Sequence, residues 1–264
     1  LNSFGNTEIY EKEESRNHTE NMLLKNFQAI KIVKNKKKII KVFGKKYLNP
    51  INIKVPGDVS SSAFFTALTL LNNDSSIKIK NIGLNSTRIG FYKLIKKHNA
   101  RIRFCNLKKK NNETTGDILI RSSKLSPLKA NKSFYPSTAD EFPILFVMAA
   151  LTKGVSIFKG IGDLVNKESN RITEMQKILK QIGIYSKYQK DKLIIIGEQF
   201  KKNRIKKIKV PSLGDHRICQ SAAILGLLTG LIVEIKNFET VSTSAPSFLK
   251  IVKKLGGSFE KKII

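Results

Sequence analysis

Of the 49 basic residues in this chain only eight are arginine: Arg16, Arg88, Arg101, Arg103, Arg121, Arg171, Arg204 and Arg217. In a sequence that otherwise writes Lys, an arginine marks a position needing the rigid, planar fork that grips a carboxylate or phosphate with two parallel hydrogen bonds. Arg16, Arg171 and Arg217 each fall in a polar loop at the start of a stretch with helical spacing. Any one of them reads equally well as a surface ion pair. Three at comparable points of a repeat favour anion binding. The densest chemistry lies in residues 137–183, where Asp140 and Glu141 stand upstream of Lys167, Glu168 and Arg171. Taken alone, Asp140 reads as a helix-start acid and Glu168 as an exposed partner of Lys167 or Arg171. His216 reads as a residue that orients its neighbours. Ser60, Ser61 and Ser62 are helix-start residues, since no His/Asp pair is patterned with them for nucleophilic catalysis.

The elements that must position these groups repeat along the chain. Residues 137–141 form a polar turn feeding a short apolar helix over 143–151, followed by a strand at Val155-Ser156-Ile157-Phe158. A loop over 160–169 then opens a second helix, whose Ile172, Met175, Ile178, Leu179 and Ile182 lie three and four residues apart, with Gly183 closing it. The same order appears from Gly57-Asp58 through a strand at 77–79 and a helix at 89–97. It appears again from Gly214-Asp215 through a helix at 222–228, a strand at 231–235 and a helix at 246–256. The acidic markers Asp58, Asp140 and Asp215 are 82 and 75 residues apart. Units this long, mixing strand and helix, predict a compact domain of three related α/β units rather than a solenoid. Upstream, a half copy is expected: a strand at 7–10, a helix at 18–27 and a hairpin of strands at 29–33 and 38–43 around residues 34–37. The domain boundary falls near Lys54. Polar turns are expected at 108–115 and, rich in lysine, at 201–207.

The loops at 58–62, 137–141, 167–169, 214–217 and 242–244 all read as helix starts, where unpaired N–H groups and the helix dipole favour anions. Aligned by the repeat, they would form one focused positive face suited to a small polyanion. The formal charge of +29 would ordinarily suggest nucleic acid. The lysines, however, are spread along the chain beside abundant Asn and Ile, and no aromatic residues interleave with the runs at 36–38, 108–110 or 206–207 as in a base-stacking platform. These runs read as solvated faces and loops. No apolar run approaches the ~18 residues that cross a bilayer, and no secretory leader is legible. Cys105 and Cys219 are too few for a disulfide framework or a zinc site. The expectation is a cytoplasmic protein with reduced thiols, no metal and no cofactor. The chain starts at Leu1 with only a half repeat, which suggests the C-terminal piece of something longer.

Six stretches carry a family resemblance. Ser15-Arg16-Asn17-His18-Thr19-Glu20, the run from Val55-Pro56-Gly57-Asp58 to Phe64-Phe65, Asp140-Glu141-Phe142-Pro143, Lys167-Glu168-Ser169-Asn170-Arg171-Ile172, Gly214-Asp215-His216-Arg217-Ile218 and Val241-Ser242-Thr243-Ser244-Ala245-Pro246 resemble, in order, motifs of the 5-enolpyruvylshikimate-3-phosphate synthases. The resemblance implies an α/β (α+β) enolpyruvyl transferase-like fold. Repeated βαβαβ-type units would form an inside-out barrel domain over 55–264, and residues 1–54 would be the tail of a second such domain plus the crossing segment. It implies transfer of the enolpyruvyl group of phosphoenolpyruvate to the 5-hydroxyl of shikimate 3-phosphate, with release of phosphate. Asp140 would accept the hydroxyl proton and Glu168 would shuttle a proton at the methylene carbon. Lys167 would contact shikimate 3-phosphate, Arg171 and Arg217 would clamp phosphoenolpyruvate, and Arg16 would face the shikimate phosphate. The complete enzyme would be a monomer without nucleic-acid or membrane partners.

Departures from the pattern are Val165-Asn166 and Asn170 around the second acid, Cys219-Gln220 after Arg217, and Thr243 where some members carry a lysine. The family's N-terminal motifs are absent, so the stretch alone is expected not to turn over. Two rival readings remain. A UDP-N-acetylglucosamine enolpyruvyl transferase would share the fold but lacks a Lys-Glu-Ser motif and uses a loop cysteine not patterned here. A basic nucleic-acid-binding module rests on charge alone.

Overall fold

The computed structural model describes residues 1–27, 29–34, 37–48, 50, 52–198 and 207–262. The chain opens with β1 (Asn6–Glu11), α1 (His18–Phe27), β2 (Ile30–Lys34) and β3 (Lys38–Phe43). These strands form an antiparallel sheet in the order β1-β3-β2. Its register pairs Ile40 with both Ile9 and Ile32, so isoleucines line one face. The half copy and its hairpin are as expected, although residues 35 and 36 of the connecting turn lie outside the described residues.

Three units follow. The first holds α2 (Val59–Leu71), β4 (Ser76–Gly83), α3 (Gly90–Lys96), β5 (Arg101–Lys110) and β6 (Glu113–Arg121). The second holds β7 (Lys129–Ala130), α4 (Phe142–Ala150), β8 (Gly154–Lys159), α5 (Arg171–Gln181), β9 (Tyr185–Gln189) and β10 (Lys192–Gly197). In the third are β11 (Lys207–Val210), α6 (His216–Thr229), β12 (Ile232–Ile235) and α7 (Phe248–Lys254). The sheets are open, with orders β4-β6-β5, β7-β8-β10-β9 and β11-β12.

The first helix of each unit lies inside. Every residue of α4 is buried, as its unbroken apolar sequence requires, and α2, α4 and α6 pack on one another. Phe248 of α7 closes this core against Phe65 and Phe64, with ring centroids 5.4 and 6.4 Å away. The second helix α5 is amphipathic and buries Ile172, Met175, Ile178 and Leu179. Sheets outside and helices inside give the inside-out arrangement, built from open sheets rather than one closed barrel among the described residues. No described helix is long and apolar enough to cross a membrane.

Two expectations need correction. The segment 108–115 is not a broad turn. Lys108, Lys109 and Lys110 end strand β5, pairing with Thr115, Thr114 and Glu113. The turn is only Asn111-Asn112, both at positive φ, the signature of a two-residue hairpin loop. The lysines were misread because one edge of this hairpin faces water and carries no apolar alternation. Residues 242–244 likewise do not start a helix. Ser242 and Thr243 end a 3-10 turn over Phe238–Thr243, and α7 begins five residues after Thr243. The lysine-rich turn expected at 201–207 lies outside the described residues, apart from Lys207, which opens β11.

Candidate active site

Helix capping decides which of the three repeated acids is free for chemistry. Asp58 caps α2, accepting from Ser61 N at 2.8 Å. Asp215 caps α6, accepting from Arg217 N at 2.9 Å and Ile218 N at 3.4 Å. In the second unit the helix begins one residue later. Glu141 occupies the cap position with no side-chain bond to the helix, and Pro143 needs no N–H partner there. Asp140 is therefore one step outside the helix and is not the helix-start cap its spacing suggested.

Four arginines surround that carboxylate. Arg16, from the segment before α1, donates to Asp140 Oδ2 at 2.5 Å. Arg217 Nη2, Arg171 Nη1 and Arg88 Nη2 lie 3.8, 3.9 and 4.0 Å from its oxygens. Burial opposes ionisation of Asp140, but Arg217 and Arg16 outweigh it and hold its carboxyl below the usual carboxylate range.

Arg171 is the pivot. Its side chain is 1% exposed, and its Nε donates to the fully buried Asp215 Oδ2 at 2.9 Å. Nη2 donates to Glu168 at 2.5 Å, which orders an otherwise half-exposed carboxylate. Ser169 Oγ adds a bond to Asp215 Oδ2 at 2.9 Å. Arg171 Nη1 and Arg217 Nη1 are buried without a hydrogen-bond partner among the described residues. Buried donors in native proteins are nearly always paired, so two orphan guanidinium nitrogens beside one carboxylate fit a place for an anion.

Lys167 lies slightly apart, paired with Asp163 at 2.8 Å. Tyr135 also donates to Asp163, at 2.5 Å. Ser15, Arg16, Tyr135, Asp140, Lys167, Glu168 and Arg171 line one open cleft of ≈ 540 Å³. Every site residue expected from sequence thus meets at this place, Arg217 through Asp140. His216, the first residue of α6, is half-buried, and burial followed by Arg217 pushes its pKa below the ordinary value.

Sequence reasoning missed two members. Arg88 donates to Ser60 Oγ at 2.6 Å and to Asp58 Oδ1 at 3.2 Å. Ser60 in turn donates to Glu141, whose carboxyl is 3% exposed and is pushed up to about 7, chiefly by burial. The scarcity of arginine was the available signal for Arg88; nothing local separates Glu141 from Asp140. Cys105 and Cys219 are both free, and burial pushes the Cys219 thiol up to about 12, which makes it inert. Among the described residues no group of three His, Cys, Asp or Glu is placed to hold a metal.

The family model described as EPSP synthase (3-phosphoshikimate 1-carboxyvinyltransferase) matches residues 1–252. The chain belongs to the EPSP synthase family. A 3-phosphoshikimate 1-carboxyvinyltransferase of Zymomonas mobilis is 34% identical over all of this chain and 59% of its own length. One from Petrotoga mobilis is 38% identical over 95% of this chain and 57% of its own. This EPSP synthase family chain therefore spans somewhat under three fifths of the curated relatives it matches. Among solved structures, an EPSP synthase from Acinetobacter baumannii superposes with a TM-score of 0.84 at 32% identity, covering 96% of this chain and 57% of that one. The enolpyruvyl transferase NikO from Streptomyces tendae, 14% identical with a TM-score of 0.69 over 97% of this chain and 56% of that one, shares the fold.

Proposed function

We propose that this chain carries the acid–base pair and most of the cation clamp of an enzyme that transfers the enolpyruvyl group of phosphoenolpyruvate to the 5-hydroxyl of shikimate 3-phosphate. The observation that carries this reading is the convergence of Arg16, Arg88, Arg171 and Arg217 on Asp140, with Lys167 and Glu168 on the rim of the same cleft. In the first half-reaction Asp140 takes the proton of the attacking hydroxyl. Glu168 gives a proton to the methylene carbon as the hydroxyl oxygen bonds to the adjacent carbon. In the second, Glu168 takes a proton from the resulting methyl group, the double bond reforms, and phosphate leaves with the proton that Asp140 returns. The step needs one group that accepts a proton and one that returns it, with fixed cations that hold phosphate and carboxylate throughout, and no cofactor.

Arg171 and Arg217, with orphan buried nitrogens, are assigned to phosphoenolpyruvate. Lys167 and Arg16 are assigned to shikimate 3-phosphate. Residues 1–54 are assigned to one enolpyruvyl transferase domain and its crossing segment, and 55–264 to the other, so the cleft lies at their junction. We place the complete enzyme in the cytoplasm as a monomer without a nucleic-acid partner.

The test is Asp140→Asn and Glu168→Gln in the complete enzyme, with turnover, substrate affinity and melting temperature measured together. Each change is expected to cut turnover by about 10²–10⁴ while affinity holds. Exchange of solvent deuterium into the phosphoenolpyruvate methylene should fall most with Glu168→Gln. A destabilised but fully active Asp140→Asn enzyme would remove Asp140 from the mechanism.

A further inference from the structure

Arg16 occupies an unusual place for a residue in a binding site. It stands on residues 12–17, which form neither helix nor strand between β1 and α1, and its side chain is 47% exposed. A long side chain on such a loop would ordinarily sample many rotamers. Its guanidinium nevertheless meets a carboxylate 124 residues away in sequence. The loop is held from behind by Ser15, whose N–H donates to Glu11 Oε1 at 2.8 Å, and from ahead by a polar cluster immediately beyond it.

Glu113 is the first residue of β6, just past the Asn111-Asn112 turn, so this hairpin tip reaches over the start of α1. Its Oε1 accepts from Asn21 Nδ2 at 2.8 Å and lies 2.9 Å from His18 Nδ1. A carboxylate only accepts, so His18 Nδ1 is the donor. Oε2 accepts from Asn85 Nδ2 at 2.9 Å. The same Asn85 nitrogen donates to Asn17 Oδ1 at 2.8 Å. Asn85 is itself buried and held, its Oδ1 accepting from Thr87 N at 2.9 Å and Thr87 Oγ1 at 2.7 Å. Asn17, next to Arg16, and the first turn of α1 are thus tied at three points to the domain that carries Asp140. Burial opposes the charge of Glu113, and the bonds from Asn21, Asn85 and His18 outweigh it, keeping the carboxylate ionised. A negative group is also favoured at a helix start.

We infer that Glu113, with Asn85, is a positioning residue for Arg16: it clasps the start of α1 so that the Arg16 guanidinium rests on Asp140. Its consequence for substrate rests on the reading of Arg16 given above, but the positioning does not, and it can be read on Asp140 itself. The charged groups facing Asp140 are Arg16, Arg88, Arg171, Arg217 and the adjacent Glu141. Glu113 acts on it only through Arg16. The direct field of Glu113 has the opposite sign, since removing a negative charge by itself lowers the midpoint of a nearby carboxyl.

The experiment is a carbon-13 carboxyl titration of the aspartates in the 264-residue chain, with the Asp140 signal assigned from Asp140→Asn. Arg16→Gln should raise the Asp140 midpoint by about one pH unit, the low end for losing a close opposite charge. Glu113→Ala should raise it comparably, and the double variant should go no higher than Arg16→Gln alone. An unchanged or lowered midpoint in Glu113→Ala, or additive shifts in the double variant, would overturn the inference. If the amide spectrum shows that Glu113→Ala does not fold, Glu113→Gln, which keeps one acceptor oxygen, should still give a smaller rise. No rise there overturns it equally. Failure of this test leaves the enzymatic reading standing, because turnover is not what it measures.

Discussion

The basicity of Asp140 depends on what else the arginines are holding. With the cleft open, four guanidinium groups within 4.0 Å keep its proton off. An anion bound to Arg171 and Arg217 would neutralise part of that field and return Asp140 toward the ordinary carboxylate range, making it a better base once substrate is present. Glu141 behaves in the opposite sense. Its carboxyl gains a proton on folding anywhere between the ordinary value of 4.5 and about 7. Stability from this group is therefore complete below pH 4.5 and is lost as pH rises to about 7. Glu141→Gln removes the cost, so the variant should match the parent near pH 4 and exceed it at pH 8 by about 1–3 kcal/mol in urea unfolding. A parallel pH dependence in parent and variant would show that Glu141 is charged in the folded state. The candidate residues Asp140, Lys167, Glu168 and Arg171 were legible because they sit in short polar motifs next to helix starts. Arg88 and Glu141 were not given roles, because what distinguishes them is burial and a contact through Ser60, 28 residues from one and 81 from the other.

Unit joins to unit through close backbone approach, and Gly90 shows how tight it is. This first residue of α3 donates its N–H to Ser137 O at 3.2 Å. A Cβ added there would lie 2.1 Å from both Ser137 Oγ and Thr138 Oγ1 and 2.7 Å from the Ser137 carbonyl. The turn it would push leads directly to Asp140. Gly90→Ala should destabilise by roughly 1–3 kcal/mol, as overpacking does, and its melting curve should show the loss; unaltered stability would mean that the turn can give way. The order of helices and strands was readable from spacing of three and four and from Gly183, which stands at positive φ. Strand β5 and the 3-10 turn over Phe238–Thr243 were not. The first is fixed by its partner β6 rather than by its own alternation, and the second by packing of Val241 and Phe238 against the core. Propensity yields to tertiary contact in such segments.

At the scale of the whole molecule, the chain spans 57–59% of the relatives it matches. Its cleft is open, and among the described residues of 1–54 only Ser15 and Arg16 line it. A substrate held by one wall gains little of the orientation that makes transfer fast. We expect the 264-residue chain alone to release no phosphate from phosphoenolpyruvate and shikimate 3-phosphate. Measurable release under saturating substrates would show that the described wall suffices.

Asp215 adds a kinetic consequence. One carboxylate, fully buried, caps α6 through Arg217 N and Ile218 N and at the same time holds Arg171 Nε and Ser169 Oγ. Those two amides can meet solvent only when the carboxylate turns away, and it cannot turn without releasing Arg171. Hydrogen exchange at the Arg217 and Ile218 amides and at Arg171 Nε–H should then report a single opening event. Unequal opening free energies would separate them. Where they agree, the start of α6 and the hold on Arg171 open and close together.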